Sequence, residues 1–286
     1  MATGRAKAVT IASATLFAVV FAGMALSLVH HYTDPAYSKT RGWRELAAAM
    51  ERVGEGGSPE QVRIAQNYPD PTLWYYYRGP IQHLVLPPVA NDAAGARAAV
   101  EALANQGVTR VLLPIQPAGN WDNNGLGADA LSGRYDRVAQ LQVGVWPLQV
   151  YAAPAALTQL TTTFTNGVSL NGVAVMPTEL TPGGVIAVHL DWRGNPAGLT
   201  GSEKVFVHLL DQDGQLVAQD DRPLRLTGPL AAGSGLAAYG VPLPAELASG
   251  NYRLVTGLYA PDVAGAPRIP VTGGADFVML SELSVP

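Results

Sequence analysis

An apolar membrane helix, then a small α/β unit, then an all-β sandwich is the architecture this sequence predicts. Three observations carry it. From Ala8 to Val29 the chain runs for 22 residues without a charge. Between about residues 39 and 154, helix-period and strand-like segments alternate, the rhythm of a sheet covered by helices. From about residue 157 eight short strand-like runs follow one another, separated by turn residues, as in two packed sheets. The expected boundaries are 1–34 for tail and anchor, 35–154 for the α/β unit and 155–286 for the sandwich.

A helix of the anchor's length rises about 33 Å, enough for a hydrocarbon core of about 30 Å. A cleaved signal carries a shorter apolar region of about 7–15 residues. Ala25-Leu26-Ser27 has the small-residue form of a cleavage site, but the length favours an uncleaved single-pass span, with the membrane as partner. Charge leaves its direction open, because Arg5 and Lys7 precede the run while Lys39, Arg41 and Arg44 follow it. His30, His31 and Tyr32 at the exit suit a headgroup layer. The small residues Ala18, Ala22, Gly23 and Ala25 would let a second helix approach closely.

In the α/β unit, residues 41–53 (RGWRELAAAMERV) set Trp43, Leu46, Ala47 and Met50 on one helical face. Residues 61–66 (QVRIAQ) read as a strand. Residues 70–78 (DPTLWYYYR) open with an acidic cap and a proline, a helix start. Residues 83–86 (HLVL) form a second strand. Residues 91–106 form the clearest helix, capped by Asn91 or Asp92 and ended by Gly107. Residues 110–115 (RVLLPI) lack alternation, as in a strand covered on both faces. Residues 145–151 close the unit, and Pro147 suggests an edge or a bulge there. The result is a small parallel or mixed, Rossmann-like sheet without a nucleotide fingerprint, since neither G-x-G-x-x-G after the first strand nor G-x-x-x-x-G-K-[ST] occurs. No cofactor is expected.

The sandwich strands are expected at 160–164, 168–175, 184–192, 204–211, 215–219, 236–243, 251–259 and 276–285. The third alternates, with Ile186, Val188, Leu190 and Trp192 inward and His189 and Asp191 outward. Asp211-Gln212-Asp213-Gly214 reads as a hairpin turn. Such a sandwich is of the immunoglobulin or carbohydrate-binding-module kind.

Composition narrows the function classes. The absence of cysteine removes disulfides, thiolate nucleophiles and Cys-based metal sites. A net charge of −4 with three lysines gives no basic stripe for nucleic acid. Trp74-Tyr75-Tyr76-Tyr77-Arg78 offers rings and a cation to a sugar face or a lipid-linked phosphate, or else fills the core. Trp121 and Asp122, in the loop 120–125, could meet hydroxyls or a hard cation, or form a plain Asx-rich turn. Asp211 and Asp213 are weak metal candidates. His189 and His208, considered as ligands, lack a placed carboxylate and read better as packing residues. No H-E-x-x-H or G-x-S-x-G occurs.

The phrases WRELAAAM, RIAQNYPDPTLWYYYRGPIQHLVLPP, RVLLPI and VWPLQVYAAP resemble the extracytoplasmic region after the last membrane helix of bacterial family-39-type, protein-mannosyltransferase-like glycosyltransferases. VIAVHLDWRG, KVFVHLLDQDGQLVAQDDRPL and YGVPLPAELASGNYRLVTGLYAP resemble the sandwich appended to some of them. The resemblance implies that 8–29 corresponds to a final membrane helix and that the bulk of the chain lies outside the cytoplasm. The family's catalytic acids belong to a multi-span part that this sequence does not contain, so no catalytic residue carries over. It implies a non-catalytic anchored accessory protein that binds a glycan, a lipid-linked sugar or a partner membrane enzyme. The alternatives are a structural subunit of a membrane complex and a metal-dependent extracytoplasmic enzyme.

Overall fold

The computed structural model describes residues 2–33, 42–55, 57–195, 199–226 and 233–286. The first helix, α1 (Ala2–Thr33), has no polar breaker to stop it and extends beyond the charge-free run at both ends. Ala12–Thr33 is the part long and apolar enough to cross a membrane, and the other described residues leave it uncovered. The next helix, α2 (Trp43–Gly54), begins after a left-handed turn at Gly42, φ 78°. Its expected face is the one that is buried, with Trp43, Leu46, Ala47, Met50 and Val53 packed into the core.

Strands β1 (Val62–Gln66), β2 (Gln82–Val85) and β3 (Arg110–Pro114) run parallel, while β4 (Asp136–Val143) and β5 (Trp146–Ala152) are antiparallel additions. The sheet order is β2-β1-β3-β5-β4. The strands alternate between two buried faces. Val62, Ile64, Leu112, Leu148 and Val150 meet α2 and the side of α3 (Pro71–Tyr76). Ala65, Val111, Leu113 and Tyr151 meet α4 (Ala93–Asn105) and α5 (Leu126–Ser132). This double cover explains the unbroken apolar run of β3.

Two expectations need correction here. Pro147 is neither at a sheet edge nor at a bulge: β5 is interior, and Pro147, near its start, accepts from Ile115 N (2.8 Å) without needing a donor of its own. The bulge falls in β4, between Arg137 and Ala139. Neither α5 nor β4 was anticipated, α5 being short and β4 broken in its alternation.

The second unit is two antiparallel sheets. One has β6 (Thr158–Thr163), β7 (Ser169–Met176), β8 (Val185–Gly194) and β11 (Gly233–Pro242) in the order β11-β8-β7-β6. The other has β9 (Lys204–Leu210), β10 (Leu216–Pro223), β12 (Gly250–Tyr259) and the short β13 (Arg268–Ile269) in the order β10-β9-β12-β13, with β14 (Val278–Val285) also on β12. Ile186, Val188, Leu190 and Trp192 from the first sheet share one core with Val205, Val207, Leu209, Leu254 and Leu258 from the second. Eight of these strands match the expected runs; β13 is the addition.

The outward face of β8 corrects a further expectation. Val185 and Ala187 join the core of the α/β unit, and His189 is fully buried, 3.2 Å from Asp136 of β4. That face looks at the first unit, not at water. His208 lies on the outer face of the other sheet, 3.1 Å from Asp221, so both histidines do have a carboxylate partner and they share no surface. Arg222 of β10 reaches across to the carbonyls of Val138 (2.6 Å) and Ala238 (2.8 Å). At Gly240 a Cβ would lie 2.4 Å from Val138 O, so only glycine allows β11 to approach β4 this closely.

Arg110 closes the junction. Its guanidinium is buried and donates to Val53 O (2.9 Å) at the end of α2, Val185 O (3.2 Å) and Met176 O (3.5 Å). Replacing Arg110 with Ala strands these acceptors and opens a cavity. Arg110→Ala is therefore expected to cost about 2–4 kcal/mol, read as a lower urea midpoint of unfolding, with Arg110→Lys between it and the parent protein.

Candidate functional site

In a parallel sheet flanked by helices, ligands gather where the strands end at their carboxyl edge. Here β1, β2 and β3 deliver three loops to that edge: 67–70, 86–92 and 115–125. Each loop contributes an aspartate to the following helix. Asp70 accepts from Thr72 N (2.8 Å), Asp92 from Gly95 N (2.8 Å) and Asp122 from Leu126 N (2.5 Å), satisfying donors that a helix start leaves free.

The loops are also locked to one another. Asn67 donates through Nδ2 to Gln116 O (2.9 Å) and accepts through Oδ1 from Gln116 N (3.0 Å). Trp121 donates its indole N–H to Pro87 O (2.9 Å), and its carbonyl accepts from Asn91 N (2.7 Å). Tyr68 meets the Trp121 ring edge-on, centroids 6.5 Å apart. The Gln66 amide, turned to satisfy both ends, donates to Asp70 O (3.1 Å) and accepts from Trp74 Nε1 (2.5 Å).

Beside these loops the β4–β5 turn brings Val145 and Trp146 to the same edge, and Trp146 stacks on Trp43 at 4.4 Å. Between turn and loop lies a cleft of about 460 Å³ lined by Ile115, Gln116, Pro117, Val145, Trp146 and Pro147. Its walls are apolar apart from Gln116, which is 5% exposed and whose buried Nε2 has no hydrogen-bond partner among the described residues. A donor buried without an acceptor costs free energy.

The aromatic run divides by burial. Trp74, Tyr75 and Arg78 are exposed, with the Arg78 guanidinium 5.3 Å from the centre of the Tyr75 ring. Tyr76 is half-buried below Arg44. Tyr77 turns into the core, where its hydroxyl accepts from Ile81 N (3.3 Å) and burial raises its pKa. Trp121 is half-buried. Asp122 is buried, and burial raises its carboxyl above the ordinary range against the pull of the Leu126 and Gly127 N–H groups.

Asp211 and Asp213 stand apart from this edge, on the β9–β10 turn, where Asp211 accepts from Asp213 N (2.9 Å) and Gln215 N (2.8 Å). No group of three or more His, Asp or Glu suited to a metal ion occurs among the described residues. Gln66, Asn67, Tyr68 and Gln116 were not singled out in the sequence. Their signal was position alone, directly after strands that prove to be parallel.

His83 of β2 is half-buried against Tyr77, and burial lowers its pKa to about 4. Burial also lowers that of His208, outweighing the opposing pull of Asp221. A histidine that is harder to protonate when folded binds more protons in the unfolded chain, so stability is lost as pH falls. For His83 the loss runs from about pH 6.5 down to about pH 4. His83→Gln should flatten that part of a Tm-against-pH profile; an unchanged slope would contradict it.

No protein-family model and no curated protein matches the chain. Among solved structures, the C-terminal domain of wzt is similar at 11% identity and a TM-score of 0.29, over 46% of this chain and 77% of that one. A putative beta-galactosidase from Bacteroides fragilis matches at 18% identity and 0.25, over 50% of this chain. A Bifidobacterium dentium beta-glucuronidase, complexed with coumarin-3-O-glucuronide, matches at 18% and 0.22, over 49% of this chain. The overlap takes in 20% of each of those two longer chains. At such identities and scores these likenesses carry no functional argument.

Proposed function

We propose that this chain is a single-pass, extracytoplasmic accessory protein, related to the tail of a polyprenyl-phosphate-sugar glycosyltransferase, that binds a lipid-linked sugar without transforming it. The observation that supports this reading is the cleft at the carboxyl edge of β1–β3, with Gln116 in its wall and the exposed rings of Tyr68, Trp74 and Tyr75 on the same edge. Aromatic faces suit the C–H faces of a sugar, amides suit its hydroxyls, and apolar walls of Ile115, Pro117, Val145 and Trp146 suit an isoprenoid chain. Arg78 and Arg44 supply positive charge for the phosphate.

The reading is tested with the full chain in lipid nanodiscs, titrated with a polyprenyl-phosphate-linked hexose. Saturable binding is expected, weakened about three- to tenfold by Trp74→Ala, the loss of one aromatic contact of about 1 kcal/mol. Gln116→Leu is expected to weaken it as well. No saturable binding to folded, reconstituted protein would rule the reading out. Stoichiometric capture of a membrane protein in place of the lipid would favour the structural-subunit alternative.

A further inference from the structure

The chain leaves α1 at Thr33 and enters α2 at Trp43. Residues 34–42 can span at most about 35 Å when fully extended, so Trp43 lies within about that distance of the end of α1. Because α2 runs from Trp43 down to Val53 beside the start of β3, Trp43 lies at the carboxyl edge of the sheet, against Trp146. The tether therefore attaches at the edge that carries the three loops, not at the opposite end or on the sandwich.

That edge also has an unusual surface. Outside α1 and among the described residues, the α/β unit exposes five large apolar or aromatic side chains: Tyr68, Trp74, Tyr75, Val89 and Val145. Tyr68 follows β1, Val89 follows β2, Val145 occupies the β4–β5 turn, and Trp74 and Tyr75 sit on α3 next to the Gln66 side chain and the start of α2. All five gather at or beside the tethered edge. The exposed apolar residues of the sandwich, such as Leu216, Leu236 and Val263, are spread over separate strands and loops.

The charges around the patch agree with an interfacial setting. Arg44 and Arg78 flank the rings. The loop carboxylates Asp70, Asp92 and Asp122 are turned inward onto helix N–H groups, leaving Glu45 as an exposed acid on the first turn of α2. Tyrosine and tryptophan with arginine beside them settle at the headgroup level of a bilayer, where rings are partly wet and guanidinium groups meet lipid phosphate.

We infer that the carboxyl edge of the α/β sheet seats on the surface of the bilayer that holds α1, with Tyr68, Trp74, Tyr75, Val89 and Val145 in the headgroup layer. The cleft beside Gln116 then opens at the membrane surface and not into bulk water. This rests on α1 spanning the membrane, but not on any bound sugar, since plain lipid is enough to seat the edge.

The absence of cysteine makes the test direct. Single-cysteine variants of the full chain, Tyr75→Cys, Val89→Cys, Val145→Cys, Asp213→Cys and Phe17→Cys, are labelled with an environment-sensitive fluorophore. They are reconstituted into vesicles of phosphatidylcholine and phosphatidylglycerol doped with a headgroup-nitroxide lipid. Labels at 75, 89 and 145 should show blue-shifted emission and loss of intensity to the nitroxide, while the label at 213, on the distant β9–β10 turn, keeps its aqueous spectrum. The label at 17 reports the span itself. If 17 is embedded while 75, 89 and 145 match 213, the edge does not seat and the inference is wrong. If 17 is itself aqueous, α1 does not span and the inference falls with that premise. The sugar titration is scored separately.

Discussion

A buried guanidinium organises this protein. Arg110 opens β3, the central strand of the α/β sheet, and its head group is enclosed where α2, β3, β7 and β8 meet. Among the described residues no carboxylate pairs with it; three carbonyl oxygens do the work instead. Burial pulls its pKa down to about 10, which still leaves it charged near neutrality. Val53 O belongs to the last turn of α2, the negative end of that helix, where a cation is favoured. Since burying a charge is costly unless its donors are met, the carbonyls of α2 and of β7 and β8 must stay where they are. The two units are thereby held in one arrangement, helped by the shared apolar layer of Val138, Leu148, Val150, Val185 and Ala187.

With the sandwich fixed on one side of the α/β unit, the sheet's direction determines what its edges can do. Parallel strands send every following loop to one edge, and there Asp70, Asp92 and Asp122 accept from the helix starts while the Asn67–Gln116 and Trp121–Pro87 bonds hold the loops together. A rigid rim leaves side chains such as Trp74 and Tyr75 to face outward on a fixed frame. Helix α2 begins at the same rim, where Trp43 meets Trp146. Cleft, exposed rings and the start of α2 thus share one rim.

Much of this was legible in the sequence, and the rest was hidden for physical reasons. Helix α2 stood out because its buried face repeats at the helical period, and the eight longer strands of the sandwich because turn residues separate them at short intervals. The short α5 followed an Asn-Asn-Gly loop that conceals a helix start. In β4 the bulge near Val138 interrupts the alternation that marks a strand. His189 was read as outward on its strand and as a packing residue, and it does pack, against the first unit: a two-residue period tells which side chains share a face, but not what covers it. The aromatic run at Trp74–Arg78 was plain in the sequence, whereas Asn67 and Gln116 are ordinary polar residues whose weight comes only from topology.

The junction at Arg110 is what makes one body of two dissimilar units, and amide hydrogen exchange resolved along the chain measures it most directly. If the units are one body, the amides of β5 and β8 open with the same free energy under conditions that favour global unfolding, and Arg110→Ala lowers both together. If β8 keeps its protection while β5 exchanges freely, or the variant weakens only one of them, the units are independent and the shared core is not what holds them.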